Sequence, residues 1–585
     1  MKRYILIWIL LLMAGFNGCI DPLDKEPLNL ISENVVFEDE ALVEAYLLDL
    51  YDRVDFQRTG MMNDINMGLI ASMGAESQTI GEWQQPAQAS LKVYDETGAG
   101  WMDYWPYGII RDVNYFIAEM ENSLMDTEYK NQRIAEVRFL RAYMYFDMVK
   151  RFGGVPIITE VLSKDDPEEI LYPERDTEKD VYDFIASEMD AIVNVLPESY
   201  AADDLGRPTK YAALAMKSRT MLYAASIAKF GEVQLNGLVG IPADEADSYY
   251  QKSIEASEAI IDSEVFSLYQ KNSDPVQNFQ DLFVDESDNP EVIFSERWDA
   301  DLDKGHSWDV LATPMGFNAA WNSNYHSFVD FIELFDFVDG TSGKLDRSLY
   351  DGNHWFSYDE YIGNRDPRFR ATFNTIGSTW QGGPAYYHSA TWFTDPSSGE
   401  RKKITGGYVP DSDWPGAAPP RNRNRTGIHV RKRLDEGLST PEANQSSTDF
   451  YVFRYAEILL NYAEAGYYLN RGDAIDKMNE VRERAGMPLL TDLTEDKIRQ
   501  ERQVELAYEE HRYWDLRRWR IAVDVLDGVR FQGFKWEYDY DTDKYSMTLV
   551  NGESVARVFQ PRHYYFALGV ERIADNTNLI ENPGY

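Results

Sequence analysis

Two groups of residues in this chain of 585 could do chemistry by their type and placement. The first is a thiol. Cys19 is the single cysteine, and it follows a basic start (Lys2, Arg3), an apolar run over residues 4–14, and Gly18. The run is too short to cross a bilayer, which takes about 20 residues, and these features together read as an export signal. A thiol directly after such a cleavage point is the group that bacterial lipoprotein processing joins to diacylglycerol. Cys19 is therefore expected to carry lipid. Residues 1–18 are then the signal peptide, and residues 19–34, acidic and punctuated by Pro22 and Pro27, a tether. Two or three acyl chains hold a protein firmly on a membrane, where one binds only marginally.

The second group is aromatic. The chain holds 28 Phe, 38 Tyr and 14 Trp, or 14% of its residues, more than a core alone accounts for. Sugars present flat C–H faces edged by hydroxyls. Rings stack on the faces, while amides, carboxylates and guanidinium groups bond the edge. Both kinds of residue concentrate between residues 295 and 415, and Trp321-Asn322-Ser323-Asn324-Tyr325 is the densest pairing of ring and amide. Trp83 lies in an early interhelical loop beside Gln84 and Gln85. The candidate ligand residues are Trp83, Trp298, Trp308, Trp321, Asn322, Asn324 and Tyr325. Most tryptophans nevertheless pack in cores. Trp101, Trp105, Trp514 and Trp519 lie in periodic helical segments and are assigned there.

Other chemistry finds less support. Residues 401–433 carry nine basic side chains and two acidic ones, which suggests an acidic glycan as ligand. A strand pair with solvated charges is the reading favoured for this span. Asp299-x-Asp301-x-Asp303 and Asp539-x-Asp541-x-Asp543 resemble the starts of calcium loops, but lack the Gly and Glu that such loops need, so Asp-rich turns are expected and no metal or cofactor. The chain has no H-E-x-x-H, no G-x-S-x-G and no phosphate-binding loop. A glycosidase needs only two carboxylates, and 99 acidic residues leave that class open. One cysteine excludes internal disulfides and Cys-rich metal sites. A formal charge of -42 argues against nucleic acid as partner.

Elements must hold these groups in place. Apolar residues recur at helical spacing over residues 37–54, 101–122 and 131–152, the last closed by Gly153, Gly154 and Pro156. Thr177 caps a helix over residues 181–196, and Pro208 opens a long Ala-rich one. Periodicity dissolves over residues 271–448. Helices return at 450–469, continue through Arg484, and resume at 495–519 behind Thr494. The first two of these span roughly the 34 residues of a tetratricopeptide unit. Such helices bury both faces only when stacked in pairs. The expected fold is mainly α. A single domain over residues 35–585 has a helical-pair, tetratricopeptide-like scaffold (about 35–270 and 449–522). It also has a long loop-rich ligand-binding insertion with short β elements (about 271–448) and an irregular C-terminal segment (523–585).

An ordered set of motifs runs through these segments. Cys19 is followed by Leu23-Asp24 and Pro27. Arg138-Phe139-Leu140-Arg141-Ala142-Tyr143 leads into Arg151-Phe152-Gly153-Gly154-Val155-Pro156. Then come Arg207-Pro208-Thr209, Arg365-Asp366-Pro367-Arg368-Phe369, Arg454-Tyr455-Ala456-Glu457, Glu501-Arg502-Gln503-Val504-Glu505, Arg512-Tyr513-Trp514-Asp515 and the final Asn582-Pro583-Gly584-Tyr585. In this order they resemble the SusD/RagB family of Bacteroidetes surface lipoproteins. Ala567-Leu568-Gly569 departs from the Pro-Ile-Pro stretch usual there. The resemblance implies a helical, non-catalytic, outer-membrane lipoprotein docked on a SusC-like TonB-dependent transporter, acting as a lid that captures a nutrient, usually a glycan and in some members a peptide. It also implies that the early loop and the segment near residues 295–325 converge on the ligand face. A surface glycoside hydrolase and a peptide-capturing relative are the alternatives. The motif charges (Arg454, Glu457, Glu501, Glu505, Arg512) either pair between packed helices or form a solvated face. Sequence leaves that choice open.

Overall fold

Capping residues set the helices at both ends of the chain. α1 (Glu40–Arg53) begins at Asp39, whose carboxylate accepts from the backbone N–H groups of Ala41 and Leu42. α2 (Tyr107–Asn122) precedes α3 (Thr127–Phe152), which Asp126 caps in the same way. Such caps satisfy donors that a helix start leaves open. α3 is buried almost all round from Ala135 onward. It stops at two glycines that close packing requires: Gly153 has φ +75°, and a Cβ on Gly154 would lie 2.0 Å from the Asp176 carbonyl oxygen. Thr177 and Asp180 form a reciprocal cap on α4 (Glu178–Ile192), and Thr209 caps α5 (Lys210–Phe230). The small residues of α5 let α6 (Ala246–Ile261) and α7 (Tyr455–Tyr468) approach it. Ser218 and Ser257 hydroxyls meet at 2.8 Å, and the Asn461 amide donates to Ser218 at 3.1 Å, tying the three helices together. α8 (Ala474–Arg484) completes a pair with α7, followed by α9 (Glu495–Glu505), capped by Thr494, and α10 (Arg512–Arg518).

The computed structural model describes residues 36–54, 56, 70–79, 81, 90, 99–314, 317, 321, 323–385, 387–405 and 426–585. The signal peptide, Cys19 and the tether lie outside the described residues, as do Trp83, Asn322 and the side chain of Trp101.

Two helix assignments need correction. Residues 450–454 are a strand, and α7 begins only at Tyr455. Phe450-Tyr451-Val452-Phe453 is aromatic and β-branched, which suits a pleated surface, and periodicity cannot separate so short a buried run from a helix. The helix expected over 495–519 breaks after Glu505, where Tyr508 (φ +60°) and Glu510 (φ +65°) turn the backbone left-handed.

The strands among the described residues are β1 (Ser77–Thr79), β2 (Val292–Glu296), β3 (Tyr325–Ser327), β4 (Asp351–Phe356), β5 (Phe373–Thr375), β6 (Thr379–Trp380), β7 (Gly383–Pro384), β8 (Ala390–Thr394), β9 (Arg401–Thr405), β10 (Ile428–Val430), β11 (Phe450–Arg454), β12 (Gln532–Asp539) and β13 (Lys544–Asn551). They form one four-stranded sheet in the order β1-β3-β10-β5 and one five-stranded sheet in the order β4-β13-β12-β8-β9, besides the pairs β2–β11 and β6–β7. The insertion is thus sheet as well as loop. The C-terminal segment is less irregular than expected, because β12 and β13 pair over eight residues each. One contiguous apolar cluster runs from Phe37 to Leu579.

The motif charges are buried and paired. Arg454 bonds Glu291, Glu505 and Glu509 at 2.6–2.7 Å. Arg368 bonds Asp366, Glu501 and Glu505, and Arg518 bonds Glu464 and Asp515. Glu457 takes Arg219 at 2.6 Å, and Arg512 donates to the Gly74 carbonyl. The guanidinium groups around Glu505 hold its carboxyl well below the usual range despite burial.

Candidate functional site

Topology pairs the strand that precedes Trp83 in sequence with the strand that follows Trp321. β1 and β3 are antiparallel, with Thr79 opposite Tyr325 and Ser77 opposite Ser327. The chain therefore leaves β1 at the sheet end where it enters β3. Trp83 lies four residues beyond Thr79 in sequence, and Trp321 lies four residues before Tyr325. β10 ends at the same side, because His429 faces His326, so the segment after Val430 also leaves there.

Trp321 is half-buried and packs by one side on the core cluster. Phe317, also half-buried, lies beside it in sequence and against the β6–β7 hairpin: a Cβ on Gly383 would lie 3.4 Å from its ring. That hairpin turns through Gln381 (φ +46°) and Gly382 (φ +74°). A two-residue turn with both residues left-handed matches the twist of the strands it joins. The Gln381 amide donates to the Glu436 and Leu438 carbonyls at 3.1 and 2.8 Å, and Arg431 pairs with Glu436. Half-buried rings beside an amide, a guanidinium and a carboxylate make a surface that can stack on an apolar face and bond its polar edge. Sequence reasoning missed Phe317 and Gln381. The Gln381-Gly382-Gly383 run was the legible signal for the second.

The structure corrects three of the candidates. Trp308 is fully buried: its indole donates to the Lys432 carbonyl at 3.1 Å, and its ring stacks on Tyr325 at 5.4 Å. Tyr325 is 2% exposed. Neither ring has a face to offer a ligand, because strand β3 turns Tyr325 inward onto Trp308. Asn324 is also buried, and its amide donates to the Trp321 carbonyl. It shapes the turn that presents Trp321 and does not reach outward. Trp298 is half-buried and does not join Trp321. It meets His306 edge-on at 5.3 Å, and Asp449 accepts from its backbone N–H. Its indole N–H has no partner among the described residues. Trp514 and Trp519 are buried as expected, and Trp105 packs half-buried on the core.

Beneath the rim runs a polar row. Gln78, His326, His429 and Asn374 stand in register across the four strands, hence on one face, and all are fully buried. Tyr387 stacks on His429 at 4.1 Å. Burial and the neighbouring His326 push His429 well below the usual imidazole range, and burial above all lowers His306 to about 3. Burial raises Asp309 to about 6. Near Trp298, burial and then the Glu286 carboxylate raise Asp449 to about 7.

Most of the described basic residues of the span are paired with carboxylates of the same chain. Arg401 pairs with Asp539 and Asp541, Lys402 with Asp395, Lys403 with Glu537 at 2.6 Å, and Lys432 with Glu509 at 2.6 Å. Arg433 is buried between the rings of Trp308 and Phe450. Arg421, Arg423 and Arg425 lie outside the described residues. The Asp-rich segments serve turns: Asp299 caps the turn that follows it, and Asp539 accepts from Thr542 and Arg401. Among the described residues no group of three or more His, Cys, Asp or Glu is placed to hold a metal ion.

A stacked-helix scaffold that presents the Trp321 loop from one sheet end is of the class in which loops stand on a rigid body, where binding groups commonly sit. No helix among the described residues is long and apolar enough to cross a membrane. A family model described as the SusD family matches residues 290–585, and one described as starch-binding associating with outer membrane matches residues 21–222. The chain belongs to the SusD family. A SusD-like protein of Bacteroides ovatus is 25% identical over 559 residues, covering 90% of this chain and 84% of its own. The starch-binding protein SusD of Bacteroides thetaiotaomicron is 24% identical, covering 99% of this chain and 97% of its own. A crystal structure of a SusD-like protein from Bacteroides fragilis, 25% identical, superposes with a TM-score of 0.72 over 96% of this chain and all of that one.

Proposed function

We propose that this protein is a cell-surface lipoprotein, anchored in the outer membrane through Cys19. It captures a glycan on the face that carries Trp321 and delivers it, unaltered, to a SusC-like TonB-dependent transporter. The observation that carries the reading is the half-buried Trp321, presented at the end of the four-stranded sheet, with Phe317 against the Gln381 hairpin nearby in the chain. Membership of the SusD family supports it, as do relatives described as starch-binding. Trp298, half-buried and apart from Trp321, is a second candidate platform.

Glycoside hydrolysis needs two carboxylates free to meet substrate. The best pair near an aromatic ring is Glu286 and Asp449, both raised by burial. Asp449 is already spent on the Trp298 backbone, Ser295 and Arg297, which favours a role in holding the loop. Replacing Trp321 by Ala tests the proposal. Retention of the bound polysaccharide in affinity gels should fall at least tenfold, with the melting temperature nearly unchanged. Unchanged retention, or release of shortened sugar products by the wild type, would overturn it.

A further inference from the structure

A cavity of about 450 Å³, large enough for a small organic ligand, lies between the end of α5, the segment 561–565 and the last residues of the chain. It shares no residue with the sheet-end face. Its walls are rings (Phe230, Tyr564, Pro561, Pro583) and two guanidinium groups, Arg520 and Arg562, against a single acidic side chain, Glu232. That is an inverted charge balance for a chain of -42.

Arg520 is held in place to an unusual degree. Its backbone is left-handed, φ +55°. Its guanidinium lies 4.7 and 4.9 Å from the ring centres of Tyr564 and Tyr565. One terminal nitrogen donates to the Tyr565 hydroxyl, which donates to Glu178 at 2.6 Å, and Glu178 accepts from the Gly240 N–H. Gly231 leaves the other side open, since a Cβ there would lie 3.4 Å from the Arg520 Nε. The loop after α5 supplies Glu232, Gln234 and Val239 to the facing wall, and between the last two it turns through three left-handed residues, Leu235 (φ +49°), Asn236 (φ +55°) and Gly237 (φ +92°). Left-handed non-glycine residues persist only where the surroundings impose them, and they gather at ligand sites. Arg562 bonds the Gly584 carbonyl at 3.1 Å through one terminal nitrogen, and its Nε has no partner among the described residues.

A fixed planar fork with spare donors matches a carboxylate, and flanking rings match a flat apolar body. We propose that this cavity binds a small aromatic carboxylate, with Arg520 and Arg562 taking the carboxyl group and Tyr564 and Phe230 enclosing the ring. This second site is independent of glycan capture.

Calorimetric titration of the full mature chain with cinnamate tests it, with cinnamamide and acetate as controls that lack the charge and the ring. Saturable binding of cinnamate is expected, at least about tenfold tighter than either control. Arg562→Gln should weaken it by about tenfold or more, the scale of a hydrogen bond to a charged group. Arg520→Lys, which keeps the charge and loses the fork, should act in the same direction. Both variants should keep glycan retention, so the two sites are read separately. If Arg520→Lys does not fold, Arg562→Gln carries the result. Absence of saturable binding, equal affinity for cinnamamide, or indifference to Arg562→Gln would overturn the proposal.

Discussion

The helical scaffold and the sheet-and-loop layer bury polarity by different rules. In the scaffold, charged groups from distant segments meet as pairs with full geometry: Arg454 and Arg518 each reach two or more carboxylates. In the layer, Arg368 is paired in the same way, but other polar groups are buried neutral or incompletely partnered. His429 has both ring nitrogens without a hydrogen-bond partner among the described residues, as has the Asn374 amide, and the Arg433 guanidinium bonds no acceptor between its two rings. Removing one partner of a buried ion pair is strongly destabilising, so paired networks lock a scaffold. A partly satisfied polar layer is held mainly by packing, and it is where a binding face can adjust.

That contrast can be broken by substitution. The largest effect belongs to the scaffold: Arg454→Ala takes one partner from each of three buried carboxylates and should cost about 3–5 kcal/mol in urea unfolding. A loss under about 1 kcal/mol would place scaffold and layer on one footing. Trp308→Ala, in the layer but fully enclosed, should cost about 3–4 kcal/mol by the same measurement, through the cavity it leaves. A small loss would return Trp308 to the ligand face.

The next test is pH. His306 titrates at about 3 when folded and at about 6.5 when unfolded. The unfolded chain therefore takes up the proton first, and the stability that neutral His306 contributes is full above pH 6.5 and lost as pH falls. Relative to His306→Gln, the wild type should lose about 2 kcal/mol between about pH 7.5 and about pH 5. A constant difference would show that the ring is not buried neutral. The smallest effect belongs to the layer's surface. Lys403→Ala should change stability by less than about 1 kcal/mol, since its pair with Glu537 is open to water. A larger loss would mark strand β9 as part of the locked scaffold.

Local signals made much of the fold legible. Thr177 and Thr494 cap helices because their hydroxyls sit one step before periodic runs, and the two glycines after Phe152 end α3 because nothing larger fits. The strand at 450–454 was not legible, since its apolar run suits either element. The break after Glu505 was not either, because Tyr508 and Glu510 carry no local mark of a left-handed turn. The site divided in the same way. Sequence drew attention to the stretch 321–325, but which of its rings faces outward depends on the stacking of Tyr325 on Trp308. That contact belongs to the packed molecule and not to the stretch.

The four-stranded sheet beneath the binding face has a consequence in time. Its strands come from residues 77–79, 325–327, 373–375 and 428–430. Closing such distant pairings costs chain entropy before any contact repays it, and topologies of this kind assemble slowly. A chain emerging amino-terminus first holds β1 unpaired until about residue 325 has followed, and the sheet has no central partner until β10 arrives. The helices α1 to α6 are complete long before, and the α7–α8 pair follows only after β10. This sheet is thus assembled late from parts that must wait for one another, and until then its strand edges are open to wrong pairing.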